Sequence, residues 1–320
     1  DLHSFPTRRS SDLEPAWLGT RQPITVLPAV SSLKALRDHS RTTAAKRPFI
    51  GFGNPLLTGR PDIRSHRERA AMVKEGLSCA QLAPAKHNKR LALSDFPLLG
   101  TLFRGRLADV AALREQLPLP ETAGELCSVA ARLGARDEDV RLGGRMTEAD
   151  IKALSAKGEL RNYRVLQFAT HGLVASDTET FADGQVEPAL MFTPPQTASE
   201  TDDGLLTASE VTQLELDADW VIMSACSTAA GEGRDSEALS GLARAFFYAG
   251  ARSLLVSHWA VDSDAAVSIT TGAFDALAAD PAIGKSEALR RSLIALQKKG
   301  GVNLHPAIWA PFSLVGGQAG

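Results

Sequence analysis

His171 and Cys226 stand 55 residues apart, each at the end of an apolar run and each followed by small or polar residues. Residues 165–170 lead into His171-Gly172, and residues 220–225 lead into Cys226-Ser227-Thr228-Ala229-Ala230-Gly231. A free thiol near its reference pKa of about 8.5 is a poor nucleophile at neutral pH. An imidazole within reach removes its proton during attack and returns it to the leaving amine, so a cysteine and a histidine suffice for amide cleavage. The small residues after each leave room for a substrate to approach the backbone. His258 also ends an apolar run and is a second potential base, whereas His305, before Pro306, reads as a structural loop residue. No phosphate loop, dinucleotide fingerprint or metal-ligand spacing occurs, so no cofactor and no metal is expected.

Positioning such a pair requires two neighbouring strand ends. Alternating strand and helix signals begin at Pro48. Residues 49–53 form a short strand ended by Asn54-Pro55, and 107–117 read as a helix closed by Pro118. Thr122 and Glu125 have capping-box spacing ahead of Leu126, Val129, Ala130 and Leu133, with Gly134 as the stop and Cys127 on the helix as packing or surface. A strand at 140–142 follows, then a helix begun by Thr147 with Asp150, and a strand at 165–170. Beyond an irregular stretch come a strand at 220–225, a helix from Glu237 stopped by Gly250, a strand at 253–258, helices at about 264–278 and 285–299, and a strand at 308–315. Six strands separated by helices predict a mostly parallel sheet covered on both faces, whose ligands gather at the carboxyl ends of the strands. Residues 189–193 and 205–207 read as a hairpin within the long 173–204 stretch, where a loop could either gate a substrate groove or be plain surface.

The chain has 320 residues, with 35 Lys+Arg against 37 Asp+Glu, and no apolar run reaches the roughly 18 residues of a bilayer span, which excludes disorder of the whole chain and a helical membrane protein. Three cysteines, Cys79, Cys127 and Cys226, are too few and too scattered for a disulfide framework or a zinc site, and point to a reducing, cytoplasmic compartment. Residues 34–106 carry 15 Lys/Arg and 5 Asp/Glu, so the N-terminal half is basic and the remainder acidic. Without interleaved aromatics, ordinary solvated surface is the simpler reading of the basic stretch, and direct nucleic-acid binding is not expected. Residues 56–106 read as a basic insertion or linker, 24–37 as a short strand or turn followed by a helix, and 1–13 as a non-native tail. No methionine starts the chain, so an upstream part is expected to be missing.

The sequence resembles the CHAT family of caspase-like peptidases, often joined to tetratricopeptide repeats. The resemblance rests on Phe168-Ala169-Thr170-His171-Gly172 and Met223-Ser224-Ala225-Cys226-Ser227-Thr228. It extends to Asp203-Gly204-Leu205-Leu206-Thr207-Ala208-Ser209-Glu210, to Gly241-Leu242-Ala243-Arg244-Ala245-Phe246 with Gly250-Ala251-Arg252-Ser253, and to His305-Pro306 with Trp309-Ala310-Pro311-Phe312. It implies an α/β caspase-haemoglobinase fold in residues 48–320, with residues 14–47 as the remnant of a smaller N-terminal subdomain. It also implies His171 as general base and then acid, which leaves His258 as a pocket-wall residue, with Cys226 as nucleophile and the N–H groups of Gly172 and Cys226 as an oxyanion hole. A protein or peptide substrate and control by an upstream repeat domain follow from the same resemblance, as does a role in bacterial defence or signalling. Related peptidases often take a charged P1 residue. Asp262, with Asp264 as the alternative, is the candidate S1 carboxylate for Arg or Lys, although Ser263 or Asp264 could equally cap the helix that follows. A regulatory or scaffolding module that keeps the fold without turnover is the competing reading.

Overall fold

The computed structural model describes residues 17–27, 43–73, 76–82, 102–104, 107–173, 187–224, 235–259 and 262–316. Its strands are β1 (Arg47–Gly53), β2 (Phe103–Arg104), β3 (Leu107–Ala108), β4 (Val140–Leu142), β5 (Tyr163–Ala169), β6 (Gly172–Leu173), β7 (Ala189–Met191), β8 (Leu205–Thr207), β9 (Trp220–Met223), β10 (Ser253–Ser257) and β11 (Phe312–Gly316). Six of them form the main sheet in the order β11-β10-β9-β5-β1-β4. All neighbours run parallel except the edge pair β10 and β11. The expected six-stranded, mostly parallel sheet is therefore present, and the predicted hairpin at 189–207 is the antiparallel pair β7 and β8, joined by β6.

Alternation along the strands separates two cores. Ile50, Phe52, Leu166, Phe168, Val221 and Met223 face one side, where Ile151, Leu154 and Phe246 from helices Glu148–Ala156 and Asp235–Ala249 cover them. Phe49, Val165, Ala169, Trp220 and Ile222 face the other, under Leu126, Ile269 and Leu293 from helices Glu121–Leu133, Ser263–Ala279 and Gly284–Gln297. Near-continuous apolar strands are what burial on both faces demands. At the centre, the rings of Phe52 and Phe168 stack at 5.4 Å, and Phe246 packs on Phe168 at 5.4 Å.

Helix Glu121–Leu133 lies close against the end of β1. A Cβ on Gly53 would stand 2.6 Å from Leu126 Cδ1 and 3.0 Å from the Ala169 carbonyl oxygen, so any side chain there would push the helix off the sheet. Gly250 does stop its helix, at φ 113°, where a Cβ would lie 2.2 Å from the Leu216 carbonyl oxygen.

Several expectations are corrected. Thr122 and Glu125 form no capping box: the helix begins at Glu121, the Thr122 hydroxyl accepts from Asn54 N and donates to the Leu119 carbonyl, and Glu125 is buried one turn further on. Tertiary partners for both side chains outcompete the local motif. The helix expected over 107–117 is split into β3 and a short helix, Val110–Arg114, capped by Asp109. The strand expected over 308–315 starts later, because Pro306–Trp309 forms a helical turn capped by His305 Nδ1 accepting from Ala307 N. Within 56–106, read as a basic insertion or linker, residues 56–73 are packed, as suits an insertion: Leu56 N donates to Thr193 Oγ1, Thr58 N to the Arg114 carbonyl, and His66 is fully buried in helix Arg64–Ala70. The helix expected within 24–37 falls largely in residues 28–42, outside the described residues, and Val26 pairs in parallel with Val315 beside β11.

Cys79 and Cys127 form a disulfide with Cα atoms 5.4 Å apart, although the three cysteines read as too few and too scattered for a disulfide framework. Their separation of 48 residues hid a contact made when the 76–82 segment packs, through Leu77, Cys79 and Leu82, on helix Glu121–Leu133. The argument from cysteine usage for a reducing compartment falls with it. No helix among the described residues is long and apolar enough to cross a membrane.

Candidate active site

The main sheet reverses direction at β1. The chain steps from β1 to β4 on one side, then crosses to β5, β9 and β10 on the other. In open parallel sheets, the crevice at the carboxyl ends on either side of such a reversal is where ligands bind. His171 stands there, two residues beyond β5.

Its backbone is held on both sides by the hairpin. Thr170 Oγ1 donates to the Met191 carbonyl at 2.6 Å, and Met191 N donates to the His171 carbonyl at 2.9 Å. The imidazole is 6% exposed, and Nε2 lies 2.7 Å from the Leu117 carbonyl oxygen. A carbonyl only accepts, so Nε2 carries the hydrogen and the neutral ring presents Nδ1 as its basic atom. Leu117 is fixed in turn, because Arg69 Nε donates to the adjacent Pro118 carbonyl at 2.6 Å and the Arg69 guanidinium pairs with Glu121. Burial pushes the His171 pKa down from 6.5 to about 4, against the stabilising Leu117 carbonyl and with small contributions from Arg69 and His66. His171 is thus a neutral base across the physiological range.

A titration consequence follows. The unfolded chain takes up this proton near pH 6.5 and the folded chain only near 4, so this group makes stability fall as pH falls through that window, by up to about 3 kcal/mol. Thermal melts of His171→Ala and wild type at pH 6.5 and 4.5 should show the variant gaining on wild type at the lower pH. A constant difference between the two would contradict a buried neutral imidazole.

β9 runs beside β5 in parallel, with Met223 opposite Phe168, and Ser224 N donates to the Phe168 carbonyl at 3.1 Å. Cys226 lies two residues further on, outside the described residues. The two strand ends expected to carry the pair are neighbours. Gly172, the other predicted oxyanion donor, is in β6 opposite Leu190.

Asp262 is the N-cap of helix Ser263–Ala279, its Oδ1 accepting from Ala265 N at 3.0 Å, so the cap is neither Ser263 nor Asp264. Asp264 is exposed in the first turn of the same helix. His258 is exposed directly after β10, with Nε2 2.9 Å from Ser313 Oγ of β11.

Two features of the site were not legible from residue types or spacing. A backbone carbonyl that orients a histidine, here that of Leu117, leaves no trace in residue types. The other feature is a buried polar cluster: Glu125, on helix Glu121–Leu133, accepts from Gln167 Nε2 of β5 at 2.7 Å and interacts with the nearby Ser224 hydroxyl. Gln167 Nε2 also reaches Ser224 Oγ at 3.4 Å. Burial, more than any neighbouring charge, raises the Glu125 pKa to about 7. Its i, i+3 relation to Thr122 disguised this glutamate as a cap.

No curated protein matches the chain. The family model described as the CHAT domain matches residues 1–317, which takes in the whole main sheet, the hairpin beside it and the segments bearing His171 and Cys226. The chain belongs to the CHAT domain family.

Proposed function

We propose that this chain is a cysteine endopeptidase of caspase-haemoglobinase fold that cleaves a protein substrate with a Cys226/His171 dyad. The observation that carries the reading is His171 itself. A buried imidazole at the sheet reversal, locked in the tautomer that leaves Nδ1 basic, stands at the strand end next to the one that leads to Cys226. Membership of a caspase-like peptidase family and the strand order of the main sheet support it.

In the proposed reaction, Nδ1 takes the thiol proton as sulfur attacks the scissile carbonyl carbon. The N–H groups of Gly172 and Cys226 receive the developing oxyanion, an arrangement whose individual donors are typically worth about 3 kcal/mol. Nδ1–H then protonates the leaving amine, leaving a thioester. Water, deprotonated by the same nitrogen, attacks the thioester, and the thiolate departs to be reprotonated. Because His171 is neutral at physiological pH, no imidazolium is present beforehand to hold a thiolate, and the imidazole acts as a general base. The rate of Cys226 alkylation by iodoacetamide should accordingly climb with pH from 6 to 9. A plateau from pH 5 upward would indicate a preformed ion pair instead.

For specificity, Asp262 is proposed to face a basic P1 side chain with the carboxylate oxygen that does not cap the helix. Alanine at 262 should cost about 1 kcal/mol of stability from the lost cap, and should reduce cleavage after Arg or Lys far more than this loss explains. Unchanged cleavage of basic substrates by a folded Asp262→Ala protein would remove Asp262 from the S1 pocket. The proposed controlling element is an upstream tetratricopeptide repeat domain, and the proposed role is in bacterial signalling or defence.

The reading is tested with peptidyl acyloxymethyl ketones bearing Arg, Lys or Asp at P1, applied to wild type, Cys226→Ala and His171→Ala. Labelling of wild type alone by the basic probes is the expected result. Labelling by the Asp probe alone keeps the dyad and overturns the acidic pocket, and labelling of none by any probe favours a binding module.

A further inference from the structure

The Glu125, Gln167 and Ser224 cluster joins three elements at one point. Glu125 comes from helix Glu121–Leu133, Gln167 from the middle of β5, and Ser224 is the first residue beyond β9. All three are buried, at 5%, 0% and 5% exposure. A carboxyl group fully removed from water is costly to keep, and Leu126, Val129 and Ala130 already pack the helix on the sheet without it. The cluster is placed where that cost has a mechanical return. Ser224 makes the last hydrogen bond toward β5 among the described residues, through its N–H to the Phe168 carbonyl, and is the last residue but one before Cys226. The loop that precedes the same helix carries Leu117, whose carbonyl orients His171. One helix therefore touches both arms of the dyad, His171 through the loop at its start and the approach to Cys226 through Glu125.

Glu125 can hold Ser224 in either protonation state. As a carboxylate it accepts from Gln167 Nε2 and can accept from the serine hydroxyl beside it; as an acid it can donate to Ser224 Oγ while its other oxygen accepts from Gln167. A glutamine would make the same pattern, with its carbonyl oxygen to Gln167 Nε2 and its amide to Ser224 Oγ. An apolar residue would make none of it.

We infer that Glu125 is a positioning residue for the dyad, which through Gln167 and Ser224 fixes the end of β9 and so sets Cys226 relative to His171. The inference rests on the peptidase reading, but its test does not need a substrate. Cys79 and Cys127 are bonded to each other, leaving Cys226 as the thiol open to alkylation among the three cysteines. The second-order rate of its alkylation by iodoacetamide is measured on the intact chain without reductant for wild type, His171→Ala, Glu125→Gln, Glu125→Leu and Ser224→Ala, with thermal melts of each.

A misplacement of about 1 Å in a reacting pair can cost up to ~100-fold. Glu125→Leu and Ser224→Ala should therefore react about tenfold more slowly than wild type while still melting cooperatively, and Glu125→Gln should return to within about threefold. With a cleaved peptide the loss should fall in kcat and leave KM unchanged. Should Glu125→Leu fail to fold, Ser224→Ala, which keeps the Glu125–Gln167 bond, carries the test. Wild-type rates in Ser224→Ala, or a folded Glu125→Gln as slow as Glu125→Leu, would overturn the positioning role. A wild-type rate no faster than that of His171→Ala would instead remove the dyad, and with it the peptidase reading and this inference together.

Discussion

Alanine at Cys226 should abolish peptide hydrolysis, and alanine at His171 should reduce kcat/KM about 1,000-fold while leaving a folded protein. The two losses differ because the roles differ. Without sulfur there is no nucleophile to form the thioester, so nothing above background remains. Without the imidazole the thiol persists, and the attack loses only its general base, a contribution of roughly 100 to 10,000-fold. His171 Nε2 bonds the Leu117 carbonyl, so the variant also loses a buried hydrogen bond, whose cost the melts register. Steady-state hydrolysis of a peptide with a basic P1 residue, with melts run alongside, checks both values. Equal residual activity in wild type and His171→Ala would mean that the histidine takes no part in the chemistry.

Loss of the Cys79–Cys127 bridge should be the largest single effect on stability. Loop-closure entropy for a separation of 48 residues gives about 4 kcal/mol, which is model-dependent and an upper expectation. Cys127→Ser should therefore melt lower by about 10 °C. Cys79→Ser should match it, and reductant should bring the wild type down to the same temperature. The bridge ties the 76–82 segment to helix Glu121–Leu133, the helix whose preceding loop holds His171. Reduction should thus also slow Cys226 chemistry. Identical melting temperatures of wild type and Cys127→Ser in the absence of reductant would show that the two thiols are not joined in solution.

The parts of this molecule that depend on periodicity were legible from residues alone. The strands read at 49–53, 140–142, 165–170, 220–225 and 253–258 correspond to β1, β4, β5, β9 and β10, which announce themselves because burial makes them largely apolar, and Gly134 and Gly250 mark helix ends because each adopts a positive φ. The placement of His171 and of the approach to Cys226 was legible for the same reason, as each follows a strand. Features made by contacts between distant segments were not. Thr122 and Glu125 carry a local signal that two tertiary partners override. Cys79 and Cys127 look isolated because what unites them is the packing of a segment whose own sequence has no period. Asp262, Ser263 and Asp264 all suit a helix start, and only the bond to Ala265 N shows which one serves. The Leu117 carbonyl is beyond any reading of side chains, since every residue but its conformation would offer the same oxygen.

The central claim is that Cys226 and His171 act on a peptide as one unit. It is tested most directly by treating the protein with an acyloxymethyl ketone bearing Arg at P1, digesting it, and locating the modified residue by mass spectrometry in wild type and in His171→Ala. The account predicts a single adduct on Cys226 in wild type, formed at least about 100-fold more slowly in His171→Ala. An adduct on another residue, or one that forms on Cys226 at the same rate in both proteins, would contradict it.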